Sequence, residues 1–167
     1  MGKTLKRRRK EAKTNYLKRL NMLKGKVPRI IFRKSNKYIL AQLIISKNAQ
    51  DKVELSLSSK ALLNYGWPKE ASNSLKTLPA AYLTGLLIGK KIKEKTKEKK
   101  FVIDIGLNRN VHKSKIYAFI NGLNDAEISI TEKKEIFPEP ERLKGKHMKN
   151  EIIFKKFDEI KKKAGGN

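Results

Sequence analysis

The sequence contains no cysteine. That excludes disulfides, thiolate zinc sites, iron–sulfur clusters and cysteine nucleophiles together, and it mildly favours an intracellular chain. Long apolar runs are also missing. The richest, Leu78 to Ile88, spans about half of the ~20 residues a membrane helix needs. The basic N-terminus is not followed by the apolar stretch of a secretory signal. Both absences predict a soluble chain. Acids are scarce as well, with 16 Asp+Glu against 41 Lys+Arg, for a formal net charge of +25. Self-repulsion at that charge opposes compaction and calls for a polyanionic partner. Nucleic acid stands first, because counterion release from dense phosphates drives association. An anionic membrane surface stands second.

What is present is enough for a core: 167 residues, 38% of them hydrophobic, predict one domain with extensions. The charge is concentrated at one end. Residues 1–37 hold fifteen cations and one acid, Glu11, a net of +14 that leaves +11 for the other 130. Residues 1–13 have almost no apolar mass and predict an extended arm that does not fold alone. Ala12, Tyr16, Leu20 and Leu23 then share one helical face, with Gly25 as terminator.

Pro28 opens a strand region. Arg29–Lys34 and Tyr38–Ser46 are separated by the turn chemistry of Ser35-Asn36-Lys37. Val53–Ser58 alternates as a half-buried strand does. Lys60–Tyr65 predicts a short helix closed by Gly66 and Pro68. Leu75–Lys93 is helical in period, with the main helix starting near Leu78 and Pro79 in its first turn. The lysine-rich Ile92–Lys100 ends it. Phe101–Ile105 reads as a central buried strand. After the polar loop Asn108–Lys113, Ser114 caps a helix over Lys115–Ala126 whose residues Ile116, Phe119, Ile120 and Leu123 face the core. A tail with Pro138 and Pro140 leads to Asn150–Lys163, where Ile152, Ile153, Phe157 and Ile160 stand at helical spacing. The fold class is therefore α/β: an antiparallel three-strand meander plus one strand added through a helical crossover, a mixed sheet with packed helices. The expected organisation is a basic arm and short helix over 1–27, an α/β core over 28–130 and a helical C-terminal extension over 131–167.

Catalysis finds little support. His112 and His147, the only histidines, belong to no spaced ligand set. A catalytic imidazole needs an orienting partner, so a histidine in a lysine-rich loop is read as nucleic-acid-facing or solvated. Asp104 could serve a two-metal nuclease, but such sites need several carboxylates, and strands 29–34 and 38–46 contain none. A satisfied polar residue is the better reading. Gly85 and Gly89 have GxxxG spacing in a run too short for a membrane, and close packing of the helix on the sheet explains them. No phosphate-binding GxxxxGK[ST] loop occurs. Neither a cofactor, a metal nor a small-molecule substrate is expected.

Binding chemistry is better supported. Arg7, Arg8 and Arg9 can fork onto phosphates, with Lys3, Lys6, Lys10 and Lys13 as point charges. A solvated tail or a localisation signal is the plainer reading of that tract. The hairpin says more, because Arg29, Arg33, Lys34 and Lys37 would repel one another unless an anion lay across them. Ser35 and Asn36 add neutral donors. Tyr65 and Trp67 flank a glycine beside Lys69 and could stack on unpaired bases. Trp67 fits equally well as a lid on the core.

Several segments resemble the universal large-subunit ribosomal family conventionally numbered eighteen, in its archaeal form. They are RRRKEAKTNYLKRLNMLKGKVPRIIFRKSNKYILAQLI from Arg7, LNYGWPKEASNSLKTLPAAYLTGLLIGKK from Leu63, FVIDIGLNRNVHKSKIYAFINGL from Phe101 and EIFPEPERLKGKH from Glu135. The most specific parts are TNYLKRLNMLK followed by PRIIFRKSNKYILAQ. The match runs in order over nearly all of residues 7–148. It implies an α/β fold and a non-catalytic role: holding 5S ribosomal RNA in the central protuberance, joining it to the large-subunit RNA, beside a neighbouring ribosomal protein that also binds 5S RNA. By the same resemblance, Lys6 to Lys13 with Tyr16 and Arg19 would thread between RNA elements. Arg33 to Lys37 would lie at the 5S surface, as would the loop that includes Arg109, His112, Lys113, Ser114 and Lys115. Two departures stand out. The family usually has Gly-Ser-Arg where this chain has Lys113-Ser114-Lys115, which is expected to alter the loop backbone. Glu127 stands where glycine commonly closes the last helix, so that end is expected to be built differently.

Overall fold

The computed structural model describes residues 4–96, 98, 100–128, 130, 134–148 and 151–165. Lys3 of the arm and Asn150 of the tail lie outside them. The arm is not extended. A single helical turn, α1 (Arg7–Lys10), is followed by a reversal in which Ala12 takes φ +49°. Ala12 therefore belongs to no helix. α2 (Tyr16–Lys24) starts at Asn15, whose side chain accepts from the Lys18 amide at 3.0 Å. It is capped by Gly25 in the right-handed region, with Lys26 at φ +51° just beyond. None of its residues is buried, and Leu17 and Leu20 are 70% and 49% exposed. The expected apolar face thus does not enter the core.

Four strands form one mixed sheet in the order β3-β2-β1-β4. They are β1 (Arg29–Lys34), β2 (Ile39–Lys47), β3 (Gln50–Ser58) and β4 (Val102–Asp104). β1–β2 and β2–β3 pair antiparallel, and β4 runs parallel to β1 after the helical crossover. β3 is longer than its alternation suggests, because Asn48 and Ala49, at φ +49° and +63°, make a two-residue turn that pairs Lys47 with Gln50. That is the backbone of the tight hairpin turn favoured by right-twisted strands. A bulge between Leu43 and Ile44 shifts the phase, so Leu57 is buried while Val53 is 48% exposed. β4 is three residues long and lies at the sheet edge rather than its centre. Its neighbourhood reads as apolar because Phe101, Ile103 and Ile105 pack against the core.

The pleat sends Ile30 and Phe32 to the helical face of the sheet and Arg29, Ile31 and Arg33 to the other. After two 3₁₀ segments (Ser59–Tyr65 and Lys69–Ser74) comes α3 (Leu78–Lys95), buried on nearly every side from Leu78 to Gly89. It is covered by the sheet, by α4 (Lys115–Asp125), by α5 (Pro140–Lys144) and by α6 (Glu151–Gly165). Phe32 meets Phe119 of α4 with ring centroids 5.1 Å apart, and Tyr82 meets Phe157 of α6 at 5.6 Å. Ile153, Phe157 and Ile160 belong to the same buried cluster as the sheet. The close packing at Gly85 and Gly89 is against α4, not the sheet. A Cβ at Gly85 would lie 2.2 Å from the Phe119 carbonyl oxygen, and one at Gly89 would lie 2.5 Å from Ala126 Cβ.

The two positions that depart from the family pattern both take a left-handed backbone. Lys113 holds φ +55° and Glu127 φ +66°, both in the left-handed region where glycine is easiest. At the end of α4 the Glu127 amide donates to Asn124 O and the Ile128 amide to Leu123 O, both at 2.9 Å. This is the reciprocal pair of a Schellman closure. The end of the helix is therefore built as a glycine would build it, with Glu127 also paired to Lys93.

Candidate nucleic-acid interface

The face of the sheet away from the helices carries an ion network. Arg29, only 2% exposed, donates to Asp51 at 2.6 Å and to Ser46 at 2.8 Å, and lies 3.8 Å from Asp104. Asp104, also buried, accepts from Arg33 at 3.0 Å and from the Gly106 amide at 2.7 Å. Arg33 donates further to the Asp104 carbonyl at 2.6 Å. Arg19 of α2 reaches Asp51 at 2.9 Å. Burial works to raise the Asp51 pKa, but the Ser46 hydrogen bond and the charges of Arg29 and Arg19 outweigh it and hold the group below its ordinary value.

The hairpin cations are thus not all waiting for an outside anion. Arg29 is a structural residue and leaves the candidate interface. Arg33 is half committed to Asp104, with its side chain 39% exposed. Lys34, Asn36 and Lys37 are exposed, and among the described residues no carboxylate lies within ion-pair range of either lysine. Ser35 is spent on the turn: its hydroxyl donates to the Tyr38 carbonyl and accepts from the Tyr38 amide, each at 2.9 Å. Asp104 is a satisfied strand residue, and among the described residues no group of three potential metal ligands occurs.

The arm docks beside this network. Lys18 of α2 donates to the Gly106 carbonyl at 3.2 Å, and Arg8 Nε to Thr14 at 2.9 Å. Lys6 sits 4.7 Å from the centre of the Tyr16 ring. Arg8, Lys13, Lys18, Arg19 and Arg33 line one cleft of about 340 Å³ between arm and sheet. Arg7, Arg9 and Lys10 are exposed, with Glu11 near Arg7 and paired to Lys13.

The loop before α4 is held by short bonds: Asn108 to the Ile105 carbonyl at 2.8 Å, Tyr117 to Asn110 at 2.8 Å, and the Lys113 amide to Ile136 at 2.9 Å. His112 is exposed and edge-on to Tyr117, 5.6 Å between centroids. Arg109 and Lys113 are exposed, while Lys115 is partly covered. Burial, then the charges of Lys34 and Lys76, lower the Lys115 pKa. Ser114 stands at the N-cap but its side chain makes no capping bond. Trp67 is not a stacking platform: it is 2% exposed, its indole N–H donates to the Ala71 carbonyl at 3.0 Å, and it lies in the core cluster. Lys69 near it is exposed.

Hairpin and loop meet. Lys34 and Phe32 line the same cleft as Asn108, Arg109, Lys113 and Lys115. Sequence reading missed three residues here. Lys18 fastens the arm, the charge of Lys76 acts on Lys115, and Arg142 of α5 lines the hairpin–loop cleft. Lys18 lay within the quoted arm segment, but no local pattern marks the other two.

Residues 3–102 match the model of a family described as ribosomal large subunit proteins 60S L5, and 50S L18. The chain is similar to large ribosomal subunit protein uL18 of Korarchaeum cryptofilum, 41% identical over 142 residues that cover 85% of this chain and 70% of that protein. It is also 40% identical over 139 residues to large ribosomal subunit protein uL18 of Methanothrix thermoacetophila, covering 83% of this chain and 79% of that protein. With a mixed α/β sheet, a cation-lined surface and these relatives, the chain belongs to the archaeal-type uL18 family of large-subunit ribosomal proteins, structural constituents of the ribosome rather than enzymes.

Proposed function

We propose that this protein binds 5S ribosomal RNA through the β1–β2 hairpin and the loop before α4, and that its arm joins the 5S RNA to the large-subunit RNA within the central protuberance. A neighbouring ribosomal protein that also binds 5S RNA completes the assembly. The observation that carries the reading is the joining of two segments some seventy residues apart into one cation-lined cleft, Lys34 from the hairpin with Arg109, Lys113 and Lys115 from the loop. Among the described residues, Lys34 and Lys37 have no carboxylate partner, so an RNA phosphate would supply the missing counter-charge. The arm contributes a second basic surface through Arg7, Arg9 and Lys10, which are exposed, and Arg8 and Lys13, which line the arm cleft. Two basic surfaces suit two RNA elements.

The test is competition filter binding at near-physiological salt, 5S RNA against transfer RNA and duplex DNA. Arg33 is a poor target, because a glutamate there would face Asp104 and disturb the sheet. K34E/K37E changes only exposed residues and is expected to abolish 5S preference with unchanged thermal stability. Equal binding of all three nucleic acids by the wild-type chain would favour generic nucleic-acid compaction instead. Unchanged 5S affinity in K34E/K37E would remove the hairpin from the interface.

A further inference from the structure

Three segments far apart in sequence close the hairpin–loop cleft, whose volume is about 450 Å³. The end of β1 gives Lys34, the loop gives Arg109, Lys113 and Lys115, and α5 of the tail gives Arg142. No carboxylate is among the lining residues. Among the described residues, Glu139 is the acid bonded to one of these cations, 3.5 Å from Lys113 on the exposed surface. The N-terminus of the eleven-residue α4 also opens here. Its first-turn amides and the positive end of its dipole favour an anion.

Ser114 supplies a separate observation. The Oγ atom is buried and, among the described residues, has no hydrogen-bond partner, although it stands where a capping bond would normally form. Buried hydroxyls are almost always bonded, and an orphan one calls for an explanation. The residue lines the cleft. A step between staggered χ1 wells is enough to redirect its hydroxyl. Lys115 points the same way: partial burial and the charges of Lys34 and Lys76 disfavour its charged form, and among the described residues no carboxylate lies within ion-pair range of it.

We propose that this cleft is a socket for one phosphate group of an RNA backbone. The anion sits on the amides of Lys115, Ile116 and Tyr117, accepts from the Ser114 hydroxyl, and is held by the Arg142 fork with Lys34 and Lys115 as flanking charges. Phe32, Leu78 and Val111, which also line the cleft, leave an apolar wall for the attached sugar. The proposal rests on the RNA reading above. It adds a discrete site and a tail residue, Arg142, to the interface.

The experiment titrates the full chain with inorganic phosphate at constant ionic strength, following backbone amide resonances and the thermal midpoint. The expected result is a saturable displacement of the 115–117 amides. R142Q weakens it about tenfold, the order of one charge-assisted hydrogen bond, whereas K156Q, another exposed charge, on α6, leaves it unchanged. S114A keeps its stability in phosphate-free buffer and loses the phosphate-dependent rise in midpoint. A linear shift spread over the surface, or equal effects of R142Q and K156Q, overturns the socket. Selective 5S binding without a saturable phosphate site also overturns the socket, and leaves the RNA reading intact. A saturable site in a chain without 5S preference supports the socket for free phosphate and removes the RNA reading.

Discussion

Removing Asp51 should expose how the sheet tolerates a buried arginine. The Arg29 side chain is 3% exposed and its shortest carboxylate contact is Asp51 at 2.6 Å. In D51A its remaining carboxylate, Asp104, is 3.8 Å away and already bonded to Arg33 at 3.0 Å. Breaking a buried pair by deleting one partner costs about 3–5 kcal/mol, because the other charge stays buried and uncompensated. Ser46 still accepts from Arg29 at 2.8 Å, which places the cost near the lower end. The Arg19–Asp51 contact involves a side chain 37% exposed, so it adds at most about 1 kcal/mol. The expected total is about 3–4 kcal/mol, read by urea unfolding at pH 7 and fixed salt. R29M in the D51A background should restore most of that loss, since an apolar side chain needs no partner and Asp104 keeps Arg33 and the Gly106 amide. The pH dependence has a definite sign. Because the native Asp51 pKa lies below its ordinary 3.8, its contribution is complete above the unfolded value and is lost as pH falls through the native one. The gap between wild type and D51A should therefore narrow below about pH 4. A D51A cost under about 1 kcal/mol would refute the reasoning. So would a double variant no more stable than D51A alone.

Three further outcomes are expected. G122A places a Cβ 2.1 Å from the Tyr82 carbonyl oxygen and 2.9 Å from the Leu86 amide, so α3 and α4 must part. Overpacking of about 1–3 kcal/mol should exceed the ~1 kcal/mol helix gain of alanine over glycine, and a thermal midpoint at or above wild type would contradict this. A49G relieves a left-handed alanine at φ +63° in the β2–β3 turn. It should stabilise by up to about 1 kcal/mol after the added freedom of the unfolded chain is deducted, as measured by denaturant midpoint. Deleting residues 1–13 should flatten the salt dependence of RNA binding by about 0.7–0.9 in the log–log slope per lost phosphate contact. An unchanged slope would show that the arm makes none.

The sheet was legible where local pattern and tertiary role agree. β1 spans Arg29–Lys34, the segment built around its Ile–Phe run, and Pro79 marks the first turn of α3 because its missing N–H costs nothing there. The β2–β3 turn was hidden, because alanine occupies a left-handed position that normally signals itself with glycine. The edge position of β4 was hidden for another reason. An apolar run reports burial on two sides but not whether a strand or a helix provides the cover. Among the candidate site residues, Lys34 and Lys37 of the hairpin and Lys113 of the loop are exposed. Arg29 and Trp67 are not. Their partners lie in Asp51, Asp104 and Ala71, and the first two come from strands β3 and β4, so no window of sequence around Arg29 shows that its charge is spent inside the fold. Arg142 was missed for the converse reason: it reaches the cleft only because the tail folds back onto α3.

The most direct measurement of the role in 5S binding is controlled dissociation of large ribosomal subunits that carry this chain, followed by separation of the released particles. Co-release of the protein with 5S RNA, and loss of that co-release in K34E/K37E, is the expected result. Protein that stays on the core particle while 5S RNA leaves, or that departs alone, would contradict it.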